Sequence, residues 1–338
     1  MKSIDAALAQ AARNVVEHCL SIRPGEVVSI VTDSADPGRI EIARAFWQEA
    51  RAKEAEVILA EMLPRKNSGE EPPAPIAQLM AESNVVLCPT AKSLSHTQAR
   101  RIASARGARI ASLPTVTKEM VLRCLAADYA SIAGLTKRVA AKLSGASKFK
   151  VESELGTRLE LERQGRTVGA DTGLLTQRGD FGNLPAGEAF FAPMEGTTNG
   201  KIVFDGSVAD LGILREPIEL QVECGVARIV STSEAARELD RYLSAHGPEA
   251  YNIAELGVGT NNLAIVSGCI LEDEKALGTV HIALGNNAGM GGTVNVPIHL
   301  DGLIRNATLY VDGELLLDKG TLVISSEPDS RPSPEARA

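Results

Sequence analysis

Two of the five histidines in this chain of 338 residues lie in acidic surroundings in its last third. His281 follows a run rich in carboxylates, and His299 is two residues before Asp301. Glu255 and Glu188 lie upstream in apolar segments that contain glycine. Imidazole and carboxylate groups are common metal ligands, and clusters of them indicate metal or catalytic chemistry. Each residue alone could be a surface charge or a core histidine, but the five together predict a metal site.

The ligand candidates occur in segments that have the pattern of short buried strands. Alternate side chains of an extended strand share a face, so His299 and Asp301 would project into one space. His281 precedes an Ile-Ala-Leu-Gly stretch, which predicts a strand that ends at a bend. Glu255 lies in the middle of an apolar strand, where a carboxylate is costly to bury unless a cation compensates it. Glu188 follows a turn with proline and glycine, and we assign it to the same site.

The elements that must position these residues change character along the chain. Residues 1–145 alternate short apolar strands with helical segments, which predicts a parallel sheet covered by helices. After residue 145 apolar and polar residues alternate, which predicts antiparallel strands with one face exposed to solvent. We therefore predict an α/β protein, with a Rossmann-like domain over 1–145 and a mainly antiparallel α+β metal-binding domain over 146–326. Residues 327–338 have little apolar content and are predicted to be a disordered tail.

Three local patterns refine this prediction. A helix is expected over 117–143, between the two domains, and another over 233–246. Asp312 and Gly313 stand between two apolar runs and predict a hairpin turn.

One further histidine lies near a predicted ligand-binding edge. His96 follows the strand at 85–88, in the first turn of a helix that Ser93 or Ser95 would cap. Ligands of open α/β sheets bind at the carboxyl ends of the strands, so His96 could contact a substrate, although a cap or surface role also accounts for it. No glycine-rich nucleotide-binding signature follows any strand.

The composition narrows the class of protein. A net charge of −8 and 44% apolar residues predict a globular protein whose partners include neither nucleic acid nor an anionic membrane. No apolar stretch approaches the ~20 residues of a membrane span, and the first residues have no signal-peptide core, so a cytoplasmic location is expected. The five cysteines show no Cys-x-x-Cys spacing, so neither a disulfide framework nor a zinc knuckle is indicated.

Several segments resemble the thermophilic aminopeptidase family, the aminopeptidase T group. These segments are 183–188, 254–261, 271–285 and 298–302, with 89–100 and 156–161 upstream. The resemblance implies a cytoplasmic homodimer with two divalent metals, Zn, Co, Mn or Mg, in the C-terminal domain. It also implies that the family's metal ligands correspond to Glu188, Glu255, His281, His299 and Asp301. The tyrosine that the family carries after its first ligand histidine is missing, since residues 286–292 read Asn-Asn-Ala-Gly-Met-Gly-Gly.

The chain is also similar to the 2,5-dihydroxypyridine 5,6-dioxygenases, which look like an offshoot of the same fold. That resemblance implies one ferrous ion held by two histidines and an aspartate, and His299 and Asp301 match this pattern. In that group the position of Glu255 is a histidine and the position of Glu188 is not acidic. The two glutamates therefore favour the hydrolase branch, whereas the short glycine-rich segment between His281 and His299 is more similar to the dioxygenases.

We therefore predict a metal-dependent hydrolase of the aminopeptidase type, which cleaves an N-terminal amino acid or small amide with a metal-activated water. Glu255 would bridge the two metals, and Glu188 would be a ligand or the general base. The alternative is a mononuclear Fe(II) ring-cleaving dioxygenase in which His281, His299 and Asp301 form a triad of two histidines and one carboxylate. A non-catalytic metal-binding or ligand-binding protein is the third possibility. The expected substrate is a small peptide or amide.

Overall fold

The computed structural model describes residues 5–324, and this part of the chain folds into three β-sheets with helices on the first of them. The predicted tail at 327–338 lies outside the described residues. Within residues 5–324, no helix is both long and apolar enough to cross a membrane.

The first sheet is parallel, as the alternating pattern predicts. Its strand order is β2-β1-β3-β4-β8, and each neighbouring pair runs parallel. Helices cover both faces of such a sheet, which explains why all six residues of the central strand β3 are buried. The strands are β1 Val27–Asp33, β2 Glu56–Met62, β3 Val85–Thr90, β4 Arg109–Pro114 and β8 Phe181–Asn183. The helices are α1 Ala6–Asn14, a π-helical turn Val15–Cys19, α2 Pro37–Ala52, α3 Ala74–Ala81, α4 Gln98–Ala105, α5 Lys118–Cys124 and α6 Tyr129–Ser144.

The helix expected over 117–143 is two helices. Thr117 caps α5 through the amide of Met120, and the Asp128 side chain accepts hydrogen bonds from the amides of Ala130 and Ser131 to begin α6. An N-cap aspartate satisfies amide groups that have no partner within the helix, so a new helix starts there. The cap of α4 is also different from the prediction, because Thr97 provides it instead of Ser93 or Ser95.

The first sheet includes a strand from beyond the predicted domain boundary. β8 pairs with β4 through Ile110 and Phe181, and the Leu184 amide continues this ladder to the Ser112 carbonyl at 2.9 Å. The boundary at residue 145 stays a prediction. In residues 5–324, the chain returns to the first sheet after residue 145, where it forms β8.

Two antiparallel sheets make up the rest of the described chain, as the period of two predicts. The second sheet has the order β14-β13-β10-β6-β5-β18-β19-β20, and the third has the order β12-β11-β17-β16-β15-β9-β7. The strands of the second sheet are β5 Lys148–Glu152, β6 Arg158–Glu162, β10 Asn199–Phe204, β13 Ile218–Glu223, β14 Val226–Ile229, β18 Thr308–Val311, β19 Glu314–Asp318 and β20 Thr321–Leu322. The strands of the third sheet are β7 Gly169–Asp171, β9 Glu188–Phe191, β11 Ser207–Val208, β12 Gly212–Ile213, β15 Ile253–Gly259, β16 Val280–Gly285 and β17 His299–Ile304.

The remaining elements confirm two local predictions. The helix α7 spans Glu234–Ser244 and is capped by the Ser233 hydroxyl, as the sequence predicts over 233–246. Asp312 and Gly313 both have positive φ and form the turn between β18 and β19. A short helix α8, Ile270–Asp273, and two 3₁₀ turns, Pro248–Tyr251 and Ala288–Met290, complete the described elements.

The main hydrophobic core lies between the second and third sheets. Phe149 of β5 and Phe191 of β9 meet there with their ring centroids 4.6 Å apart. Because Phe191 points into this core, its neighbours one residue away point to the opposite face of the third sheet. That opposite face carries the polar residues described next.

Candidate metal centre

The register of the third sheet places the five predicted ligands on one face. Glu188 begins β9 and is opposite Gly259 of β15. Glu255 lies four residues before that glycine on the same strand, so the two share a face. Directly opposite residues of neighbouring strands share a face. Glu255 is opposite Ala283, and Ala283 is opposite Asp301. The structure therefore brings together, from four strands, all five predicted ligands: Glu188, Glu255, His281, His299 and Asp301.

Glu255 is at the centre of this set. Its Oε1 lies 3.3 Å from the His281 Nε2, and its Oε2 lies 3.3 Å from the His299 Nε2. The Asp301 Oδ1 is 3.6 Å from the same His299 nitrogen, and the Glu188 Oε2 is 3.4 Å from the His281 Nε2. All four carboxylate contacts are made to the Nε2 atom of a histidine, which is a common metal ligand.

The hydrogen bonds of His299 suit metal binding. Its Nδ1 is 2.8 Å from the carbonyl oxygen of Asn286. A proton on Nδ1 donated to that carbonyl leaves the Nε2 lone pair free, which is the arrangement that orients most metal-binding histidines. The buried Glu188 Oε2 has no hydrogen-bond partner. The residues present therefore fit a divalent metal held by nitrogen and oxygen ligands.

Ligand atoms that lie within 4.8 Å of one another form three overlapping groups in residues 5–324. The groups are Glu188–Glu255–His281, Glu255–His299–Asp301 and Glu274–His281–Asp301. None of the three contains both histidines, so the predicted triad of His281, His299 and Asp301 does not occur as one group. Glu255 and Asp301 connect the two histidines instead.

Three residues at this site were missed from the sequence: Glu274, Lys275 and Asp171. Lys275 is completely buried, and its Nζ lies 2.5 Å from the Glu188 Oε1, 2.6 Å from the Glu274 Oε1 and 3.8 Å from the Asp171 Oδ2. The signal for two of them was the charged run Glu272–Lys275, which is separated by four residues from the buried strand β16. Nothing in the sequence marked Asp171, which the register of β7 and β9 places opposite Glu188.

Burial and charge divide the carboxylates of the site into two types. Burial raises the pKa of Glu188 to about 8 and that of Asp171 to about 6, although Lys275 opposes both shifts. Burial also acts on Glu255, but hydrogen bonds from His281 and His299 outweigh it and hold the pKa of Glu255 below its usual range. Glu255 is therefore the ionised carboxylate between the two imidazoles.

The imidazoles hold protons in the absence of a metal. Burial disfavours the charged form of His281, but the hydrogen bond to Glu255 and the charge of Glu188 outweigh it and raise its pKa to about 9. Asp301 and Glu255 likewise raise the pKa of His299 well above its usual value. A metal at the His299 Nε2 must displace the proton there, so metal binding releases a proton and weakens as the pH falls.

Gly257 provides the space for His281. These residues are directly opposite on β15 and β16, and a Cβ at position 257 would lie 2.0 Å from the His281 Nε2. Only glycine leaves the imidazole in this position.

His96 directly precedes Thr97, the N-cap of α4, so it lies outside the helix in whose first turn it was predicted. Burial lowers the pKa of His96, and the charge of His299 lowers it further. No hydrogen bond joins His96 to His299 among the described residues. Contact between His96 and a substrate stays a prediction.

Comparison with known proteins identifies a family model that matches most of the chain and a curated relative that matches part of it. A family model described as 2,5-dihydroxypyridine 5,6-dioxygenase (NicX) matches residues 7–324. A 2,5-dihydroxypyridine 5,6-dioxygenase from Pseudomonas putida is 26% identical over 204 residues, which are 56% of this chain and 58% of the relative. The aligned part thus spans little more than half the length of that curated relative.

Two solved structures share the fold. One is 2,5-dihydroxypyridine dioxygenase from Pseudomonas putida KT2440, with a TM-score of 0.79 and 20% identity over 94% of this chain and 97% of that chain. The other is AmpT from Thermus thermophilus, with a TM-score of 0.70 and 15% identity over 95% of this chain and 100% of that chain. Both branches of the predicted resemblance therefore share this architecture, and the predicted fold class is confirmed.

These comparisons show that the prediction of an aminopeptidase-type hydrolase is wrong. The family model and the curated relative both name the dioxygenase, which was the alternative. The two glutamates had favoured the hydrolase, but the structure shows that Glu188 is bound to the ammonium group of Lys275. The presence of that glutamate is therefore no sign of a hydrolase centre. The chain belongs to the 2,5-dihydroxypyridine 5,6-dioxygenase family.

Proposed function

We propose that this protein is a mononuclear ferrous dioxygenase that opens a hydroxylated pyridine ring, or a related aminophenol ring, with O₂. Both oxygen atoms enter the product as one ring bond is broken, so the reaction requires no external reductant. Family membership and the imidazole and carboxylate groups of the centre support this function. This proposal replaces the small peptide or amide substrate that was expected for a hydrolase.

The Glu255–His299–Asp301 group is the observation that supports the function most directly. Its ligand atoms lie within 4.8 Å of one another, and 28% of the His299 side chain is exposed. These residues would hold the iron, with His281 at the other oxygen of Glu255. When bound, ferrous iron supplies the electron-transfer chemistry through which O₂ reacts with an aromatic ring.

The other groups of the chain orient these ligands. The Asn286 carbonyl fixes the ring of His299 through Nδ1. The Nε2 of His281 holds a proton against Glu255 and keeps that carboxylate ionised. In this way His281 determines the orientation and charge of Glu255.

One cavity is lined by an aromatic side chain from β9, the strand that begins with Glu188. It has a volume of about 590 Å³ and is lined by Phe190, Arg166, Gly169 and the 289–291 segment, among others. Phe190 is two residues after Glu188 on β9 and therefore shares its face of the sheet. An aromatic wall on the metal-binding face suits a flat substrate, because stacked rings attract one another. We propose that the substrate ring lies against Phe190.

Replacement of Phe190 by Ala should raise the KM for the ring substrate roughly three- to tenfold, since an aromatic pair contributes about 0.5–1.5 kcal/mol. Steady-state O₂ uptake measures this change. Phe190→Leu retains most of the apolar volume and should have an intermediate KM, and metal content should be unchanged in both variants. An unchanged KM in the Ala variant would place the substrate elsewhere.

The function itself is tested with the full chain purified without oxygen and loaded with Fe(II). We expect O₂ consumption with 2,5-dihydroxypyridine, and two labelled oxygen atoms in the product when ¹⁸O₂ is supplied. Failure to consume O₂ with hydroxylated pyridines and aminophenols, at full iron occupancy, would refute the proposal. The homodimer and the cytoplasmic location stay predictions, and sedimentation of the purified chain tests the first.

A further inference from the structure

The buried ammonium group of Lys275 lies among acidic residues that would otherwise attract a metal. Its Nζ contacts Glu188 at 2.5 Å and Glu274 at 2.6 Å, with Asp171 at 3.8 Å. A fully buried lysine is costly unless its charge is paired, and here it is paired with two carboxylates at hydrogen-bond distance. Lys275 is therefore an integral cation of the centre.

The segment that carries Lys275 is held in place by its own ion pairs and hydrogen bonds. Arg123 of α5 binds Glu272 through two nitrogens, and the Asp273 carboxylate accepts a hydrogen bond from the Ser207 hydroxyl at 2.5 Å. The Lys275 carbonyl accepts a hydrogen bond from the Asn261 amide at 2.8 Å. These contacts hold the backbone at Lys275 and in the residues just before it.

Lys275 distinguishes among the three groups of possible metal ligands. It binds Glu188 in the first group and Glu274 in the third. No hydrogen bond or ion pair among the described residues joins it to the Glu255–His299–Asp301 group. A divalent ion at either of the other two groups would share a carboxylate with the ammonium group, and the two positive charges would repel each other at short range.

We propose that Lys275 takes the place of a second divalent cation and so limits this centre to one metal ion, at Glu255, His299 and Asp301. The inference rests on the metal centre of the proposed function, but it concerns the number of ions that bind and not the reaction. With Lys275 present, Glu188 and Glu274 already have a cationic partner at hydrogen-bond distance. Without it, Glu188 is free to bind a second ion with Glu255 and His281, or Glu274 is free to bind one with His281 and Asp301.

The number of metal ions per chain tests this proposal independently of turnover. The full chain is saturated with Mn(II) without oxygen, separated from free metal and analysed for elemental content. Wild type should hold about one ion per chain, Lys275→Met about two, and Lys275→Arg about one because it keeps the charge. Electron paramagnetic resonance adds a second readout, since two neighbouring Mn(II) ions broaden the spectrum of an isolated ion.

The outcomes separate this proposal from the dioxygenase function. Two ions in wild type, or one ion in a folded Lys275→Met variant, would overturn it, whether or not the protein consumes O₂. Should Lys275→Met fail to fold because Glu188 and Glu274 lose their partner, the double variant Lys275→Met/Glu274→Gln removes one of these charges. That variant should bind a second ion at Glu188, Glu255 and His281, and a folded double variant with one ion would also overturn the proposal.

Discussion

Replacement of His299 by Ala should abolish both the metal content and the O₂ consumption of this protein. His299 provides the nitrogen of the Glu255–His299–Asp301 group, and its Nδ1 is already bound to the Asn286 carbonyl. Changes to residues that merely orient a metal ligand cost about 10–100-fold, so loss of a ligand should exceed about 100-fold in activity. Iron per chain, measured by elemental analysis after anaerobic loading, should fall with the activity.

The matched control is His246→Ala, which removes an exposed histidine beyond the end of α7. Its metal content and turnover should equal those of wild type. Retention of a full iron complement in His299→Ala would mean that the metal is held elsewhere, for example at the Glu188–Glu255–His281 group. Circular dichroism of both variants shows whether the fold is retained.

The second large effect is expected for Gly257→Ala. The added Cβ would lie 2.0 Å from the His281 Nε2 and 2.2 Å from its Cε1, on a buried strand that cannot move aside. Such overpacking typically costs about 1–3 kcal/mol, which outweighs the small gain from a less flexible unfolded chain. His281 must therefore leave Glu255, and we expect a lower denaturation midpoint together with loss of metal affinity.

Gly134→Ala is the control for this change. Gly134 lies within α6, and a Cβ there meets only the Arg138 Nη1 at 3.8 Å. Alanine is favoured over glycine in a helix by about 1 kcal/mol, so this variant should be slightly more stable and fully active. Urea denaturation monitored by circular dichroism measures both variants. A Gly257→Ala protein with wild-type stability and metal content would show that His281 has another position available.

The site could be predicted from sequence wherever its residues occupy regular strands. The spacing of His299 and Asp301 specified one face of β17, and the apolar surroundings of Glu255 and His281 specified buried strands. Glu274 and Lys275 follow the short helix α8, where no period indicates the direction of a side chain. Their contacts join positions as far apart as 188 and 275, so only the folded chain brings them together.

The same limit explains the incorrect choice of function. Glu188 and Glu255 were both counted as ligands because the sequence shows their acidity but not their partners. The structure shows that Lys275 binds the first, whereas two imidazoles bind the second. In the fold, the three-residue strand β8 and the break between α5 and α6 were too short to produce a periodic signal.

The return of the chain to the first sheet at β8 has a consequence for protein engineering. A fragment that stops at residue 145 would leave the β4 edge without its partner, and its open backbone groups would be available to pair with another molecule. Such a fragment is expected to aggregate, although it contains the other four strands of the sheet. Because β8 ends five residues before Glu188, the same stretch of chain both closes the first sheet and enters the metal centre. The two halves are therefore expected to be produced together and not as separately expressed domains.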